Sequence, residues 1–120
     1  MGNCPAEKLI LRFDWDLKTL GTRCSYGDHP YLSRGACEFL LQKGCRLLTV
    51  DTPQPDNPLH GSNSPIDAPI HKFLLAHDVL LLEYLVNLKD ITAKETILFA
   101  APLKVEEGDG APAHCFVMLS

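Results

Sequence analysis

Ser33 opens a helical pattern that carries Ala36, Cys37, Leu40 and Leu41 on one face, and Gly44 closes it. Serine supplies a side-chain acceptor for the first free amides of a helix, and glycine tolerates the positive φ that ends one. Leu47-Leu48-Thr49-Val50 follows as a short apolar strand and stops at Asp51. Helix, glycine, buried strand and acid in that order predict an α/β architecture, in which the carboxyl ends of strands are where ligands gather. From Thr52 to Pro69 the chain then holds five prolines, at positions 53, 55, 58, 65 and 69. Fixed φ angles and missing N–H donors exclude helix and central strand there, so a stiff loop wall is predicted.

The flanking segments complete the pattern. Lys8 to Phe13 reads as a strand, and Asp14-Trp15-Asp16 leads into an irregular stretch from Gly21 to Tyr31. Asp67 is predicted to cap a second short helix with Ile70, Phe73 and Leu74 at i, i+3 and i+4. Beyond Asp78, the run from Val79 to Val86 fits either a continued helix or a returning buried strand. Ile97–Val105 and His114–Leu119 read as two strands joined through Glu106-Glu107-Gly108-Asp109-Gly110, a hairpin turn. With 120 residues, a single α/β domain with a mixed sheet and two short helices is the expectation.

Charge and cysteine usage exclude several classes. Eleven Lys and Arg against fifteen Asp and Glu give a net charge of −4 and a pI near 5.6. No basic footprint for nucleic acid follows from that balance. Apolar runs such as Val79–Leu82 are far shorter than the roughly 18 residues of a membrane span, so no membrane partner is expected. The five cysteines (Cys4, Cys24, Cys37, Cys45 and Cys115) contain no C-x-x-C pair, which argues against a thiol redox motif or a cysteine zinc module. Cys37 and Cys45 read as small buried hydrophobes. The first residues lack a signal-peptide core, and Ala6 stands where a myristoylation site needs Ser or Thr. A reduced cytoplasmic protein is expected.

Glu83 is the most informative polar residue. Four apolar residues precede it and Tyr84-Leu85-Val86 follow, so burying its carboxylate requires a cation, a donor or a metal; on a surface helix it would simply face water. His71 lies twelve residues earlier. On one continuous helix the two would be roughly 18 Å apart and about 120° around the axis. If the helix stops near Asp78 and a strand returns, they can converge, and imidazole nitrogen with carboxylate oxygen suits zinc or manganese. Two ligands fall short of the roughly three that an open catalytic site takes from protein. His60, Asp67 and His77 lack tight ligand spacing, and His29 and His114 read as ordinary histidines. No G-x-S-x-G elbow, P-loop or dinucleotide-binding glycine motif is present.

Several runs together carry a resemblance: Asp28-His29-Pro30-Tyr31-Leu32-Ser33; Gly44 through Asp51-Thr52-Pro53-Gln54-Pro55-Asp56-Asn57-Pro58; Asp67-Ala68-Pro69-Ile70-His71 through Leu75; Leu82-Glu83-Tyr84-Leu85-Val86-Asn87-Leu88; Pro102-Leu103-Lys104-Val105; and Gly108 to Pro112. In order and spacing they resemble the Putative cyclase family, which includes bacterial kynurenine formamidases and isatin hydrolases. The resemblance implies part of a swivelling β/β/α fold. It implies a metal site, zinc or manganese, to which His71 and Glu83 contribute, and so it favours helix-then-strand over one long helix. Two departures stand out. Gly110-Ala111-Pro112-Ala113-His114 replaces the family's Gly-Ser-Pro-x-Arg, and the signature His-x-Gly-Thr-His-x-Asp-x-Pro-x-His occurs nowhere in the chain.

The resemblance therefore implies the C-terminal portion of a metal-dependent hydrolase of aryl formamides or cyclic amides, of the kynurenine formamidase type that serves tryptophan catabolism. With the upstream motif absent, the expectation is a truncated domain, inactive alone, whose proton-transfer histidine and further ligands come from elsewhere. The alternative is a non-enzymatic fragment or pseudoenzyme acting by self-association, with a homodimer as the expected form, or by binding a full-length relative. Unpaired strand edges and uncovered apolar surface would drive that association.

Overall fold

The computed structural model describes residues 7–19, 22, 26–61 and 63–119. Cys4 and Cys24 lie outside the described residues, as does part of the stretch from Gly21 to Tyr31. The chain divides into two compact units, Met1–Leu88 and Lys89–Ser120.

The first unit is built on three parallel strands in the order β1 (Lys8–Leu11), β2 (Leu47–Val50), β3 (Leu80–Leu82). The central strand β2 is buried on both faces: Leu48, Thr49 and Val50 are all buried. That is why its sequence is a continuous apolar run and not an alternating one. Helices α2 (Arg34–Gln42) and α3 (Pro69–Ala76) contact each other. Cys37 and Leu40 of α2, Ile70 and Leu74 of α3, Leu48 and Val50 of β2, with Cys45 and Val79, form one core. Cys37 and Cys45 are thus the buried small hydrophobes the sequence predicted, and burial pushes the Cys37 thiol up to about 11.

Helix α2 starts and stops where its local chemistry dictates. The Ser33 hydroxyl accepts from the Ala36 amide at 3.1 Å. At the other end Gly44 has φ +82°; its amide donates to the Leu41 carbonyl, and that of Cys45 to Leu40. These paired bonds form a Schellman stop.

Helix α3 ends on the same pattern with a different residue. Asp78 takes φ +58°, its amide donates to the Leu75 carbonyl, and the Val79 amide donates to Leu74. Aspartate tolerates this left-handed position better than most residues with a side chain. Val79 then drops into the core beside Leu74, and Leu80–Leu82 returns as β3 parallel to β2. The ambiguity over Val79–Val86 is resolved in favour of helix-then-strand.

Four expectations need correction. Asp67 does not cap α3: Ala68 holds the N-cap position at φ +43° with no side-chain bond, while Asp67 pairs with Lys72 at 3.1 Å on the surface. Pro69 is not loop but the first residue of α3, where its missing N–H costs nothing. The helices number three among the described residues, not two, because Trp15–Thr19 forms a short α1. The predicted strand Lys8–Phe13 ends at Leu11, since the Phe13 amide turns instead to the Asp51 carboxylate. Among its described residues the proline-rich segment has no regular structure before Pro69, and Thr52, Pro53, Pro55 and Asp56 are buried within it, in keeping with a packed wall.

The second unit carries an antiparallel hairpin, β4 (Ile97–Pro102) with β5 (Ala113–Met118). Phe99 stands opposite Phe116, and the two rings stack at 4.8 Å. On that face Ile97, Phe99, Phe116 and Met118 remain exposed. No helix among the described residues is long and apolar enough to cross a membrane.

Candidate metal-ligand site

Three parallel strands bring their carboxyl ends together, and the loops that leave them carry the acids of interest. Asp51 follows β2 and Glu83 follows β3 directly. Their roles differ. Asp51 is buried, and its carboxylate accepts from the Phe13 amide at 2.9 and 3.0 Å and from the Trp15 amide at 3.3 Å. It anchors the turn between β1 and α1 and has no free face for a ligand.

Glu83 instead meets His71. The chain past β3 is held by the Tyr84 amide donating to the Thr52 carbonyl and the Leu85 amide donating to Val50. Those bonds fix Glu83 over the first turn of α3, where His71 is the third residue. His71 Nε2 and Glu83 Oε1 lie 2.8 Å apart, yet Oε1 is buried with no aligned hydrogen-bond donor. A buried carboxylate oxygen of this kind calls for a cation. An imidazole nitrogen and a carboxylate oxygen converging on one point are suitable donors for zinc or manganese. They are two donors of the right type; no group of three or more His, Cys, Asp or Glu able to hold a metal occurs among the described residues.

On its other side His71 meets a residue that sequence reasoning missed. Asp56, fully buried in the proline-walled loop, accepts from the Ile70 amide at 2.6 Å and the His71 amide at 3.0 Å, and its Oδ2 lies 2.5 Å from His71 Nδ1. The only signal available was an acid among prolines, a common loop composition.

The other histidines stand apart from this cluster. His60 lines a recess of about 250 Å³ with Tyr31, Leu32, Asn57, Pro69 and Ile70. His77 Nδ1 bonds to the Phe73 carbonyl at 2.7 Å, and its ring lies against Phe73. His29 is buried against Trp15 with Nδ1 bonded to the Pro30 carbonyl, and His114 is exposed on β5.

The Glu83 carboxylate beside Nε2, joined by Asp56 at Nδ1, raises the His71 pKa to about 9 against the opposing effect of burial. A group protonated more readily in the folded than in the unfolded chain stabilises the fold at low pH. In the metal-free chain this contribution is complete below about pH 6.5 and is lost as pH rises through about 9. The expected loss between pH 6 and pH 10 is on the order of 3 kcal/mol. Urea titrations at the two pH values, for wild type and His71→Gln, check it. The wild-type drop must exceed that of the variant; equal drops contradict the assignment.

Comparison with known proteins bears on this cluster. A model of the Putative cyclase family matches residues 3–57. An isatin hydrolase of Roseibium aggregatum is 32% identical over 125 residues, a match covering 94% of this chain and 45% of the relative. A kynurenine formamidase of Bacillus cytotoxicus is 33% identical over 88 residues, covering 73% of this chain and 39% of the relative. The solved structure of an isatin hydrolase bound to the product analogue thioisatinate superposes with a TM-score of 0.72 at 32% identity, over 92% of this chain and 44% of that one. A potential metal-dependent hydrolase with cyclase activity shares the fold, with a TM-score of 0.60 at 19% identity over 92% of this chain and 63% of its own. The chain spans less than half the length of the two curated relatives.

Proposed function

The chain belongs to the Putative cyclase family, and from that we propose that it is one part of a metal-dependent amide hydrolase. The substrate class is an aryl formamide or a cyclic amide, as the names of its relatives suggest. The convergence of His71 Nε2 and Glu83 Oε1 carries this reading. These two residues would hold a divalent metal, zinc or manganese, together with ligands supplied from outside the 120 residues. A metal so held polarises a carbonyl oxygen and lowers the pKa of bound water. Within the chain, Glu83 contributes negative charge and His71 a neutral nitrogen. The proton-transfer group comes from the same outside portion, so the isolated chain is inactive.

Two assays test this. The purified chain, supplied with zinc or manganese, is expected to show no turnover of N-formylkynurenine or isatin; turnover that disappears in Glu83→Ala overturns the inactivity. Joined to the portion of the Roseibium relative that it does not match, the chain is expected to support hydrolysis that Glu83→Ala abolishes. A fusion that folds and turns over equally well with alanine at 83 overturns the hydrolase reading.

The exposed apolar face of the β4–β5 hairpin favours a second reading, association without catalysis. A two-stranded hairpin alone is marginal in water, and Ile97, Phe99, Phe116 and Met118 present an uncovered surface. A homodimer or a complex with a full-length relative would cover it. Size-exclusion chromatography separates the cases: a monomer that binds no apolar dye contradicts association.

A further inference from the structure

Asp56 is 0% exposed, and burying a carboxylate is costly unless its oxygens are fully engaged. Ala68, at the N-cap of α3, has left-handed backbone (φ +43°, ψ +56°), not the extended backbone from which Ser33 caps α2, so the cap of α3 comes from the preceding loop. Asp56 does more than cap: it bonds the first-turn amides of Ile70 and His71 and also meets the His71 ring at Nδ1. An ionised carboxylate only accepts hydrogen bonds. Each ring nitrogen faces a carboxylate, so the protonated ring carries both hydrogens; the two contacts differ in quality. Nδ1 makes an aligned bond to Asp56, whereas Nε2 lies 2.8 Å from Glu83 Oε1 without an aligned hydrogen bond, so the Nε2 hydrogen is the one released when the ring becomes neutral.

We propose that Asp56 is the positioning residue of the site: it holds His71 as the Nδ1–H tautomer, with Nε2 directed at the metal position, while anchoring the start of α3. The inference rests on reading His71 and Glu83 as metal ligands. It couples the site to the fold, because the same carboxylate fixes both the helix start and the ring. Carboxylate–histidine pairs behind a metal ligand orient the ring and raise its basicity, and their loss lowers metal affinity about ten- to hundredfold.

The test separates orientation from simple structural support. The full chain is prepared as wild type, Asp56→Ala, Asp56→Ala with Ala68→Gly, and His71→Ala. Glycine at the φ +43° position relieves backbone strain and offsets part of the lost cap without touching the ring. Zinc affinity is read by calorimetry. The His71 tautomer is read in the metal-free chain by nitrogen-15 NMR at pH 10, where the ring is neutral. The wild-type ring is expected to be protonated at Nδ1. The double variant is expected to regain thermal stability while its zinc affinity stays ten- to hundredfold down and its ring loses the Nδ1–H preference.

A folded double variant that binds zinc within twofold of wild type and keeps the Nδ1–H tautomer overturns the proposal. If that variant does not fold, the wild-type ring decides: an Nε2–H tautomer at pH 10 overturns the proposal. Unchanged zinc affinity in His71→Ala overturns the metal-ligand reading instead, and the tautomer result still decides whether Asp56 holds the ring.

Discussion

Asp51→Ala is expected to destabilise the chain by about 3 kcal/mol or more, with no loss of zinc affinity in the molecules that remain folded. The carboxylate is buried and accepts from the amides of Phe13 and Trp15, 38 and 36 residues away. Removing it strands two backbone donors, and each unpaired buried donor costs roughly 1–3 kcal/mol. Between those donors Asp14 sits at φ +59°, a conformation that the same bonds hold in place. For a domain whose total stability is about 5–15 kcal/mol, such a loss is a large fraction. Trp15 is the single tryptophan and is buried at the start of α1, so its fluorescence in a urea titration follows the affected segment. Asp51→Asn keeps one acceptor and is expected to lose less. A loss below about 1 kcal/mol for the alanine variant contradicts the anchoring role, and a zinc isotherm that changes with it would move Asp51 into the site.

The contrast between Asp51 and Glu83 explains what the sequence could and could not reveal. Both acids follow parallel strands, and position alone marks both as site candidates. Glu83 is singled out by its apolar neighbours, a local signal. Asp51 is explained by Phe13 and Trp15, partners that only the fold brings near. The same division runs through the secondary structure. Helix α2 was legible because Ser33 and Gly44 lie at its own ends. Helix α1 was not, since its start is anchored by an acid that follows another strand. Asp67 looked like the cap of α3 because it is adjacent in sequence, but the first-turn amides go to Asp56 from the preceding loop. Periodicity could not settle Val79–Val86, because the deciding event is one left-handed residue, Asp78. The convergence of His71 and Glu83 depends on that residue. A helix continued past it would carry the pair roughly 18 Å apart.

Glu83→Ala and His71→Ala are each expected to lower zinc affinity more than a hundredfold, since direct ligands must exceed the ten- to hundredfold of a supporting residue. The double variant is expected to be scarcely worse than either single one: with two donors at the site among the described residues, losing one removes the site. Zinc uptake must also displace a proton, because His71 carries one until about pH 9 in the metal-free chain and a metal binds only the deprotonated nitrogen. Apparent affinity therefore rises with pH up to about 9. Calorimetry near pH 7 in buffers of different ionisation enthalpy should report close to one proton released. In the metal-free chain Glu83→Ala costs stability at pH 7, where the carboxylate faces an imidazolium, and this cost fades by pH 10, where the ring is neutral. Retained affinity in either variant, or uptake without proton release, contradicts the assignment of His71 and Glu83. Asp51→Ala predicts the converse pattern, stability lost and affinity kept, so the two experiments together assign each strand-end carboxylate to the fold or to the metal.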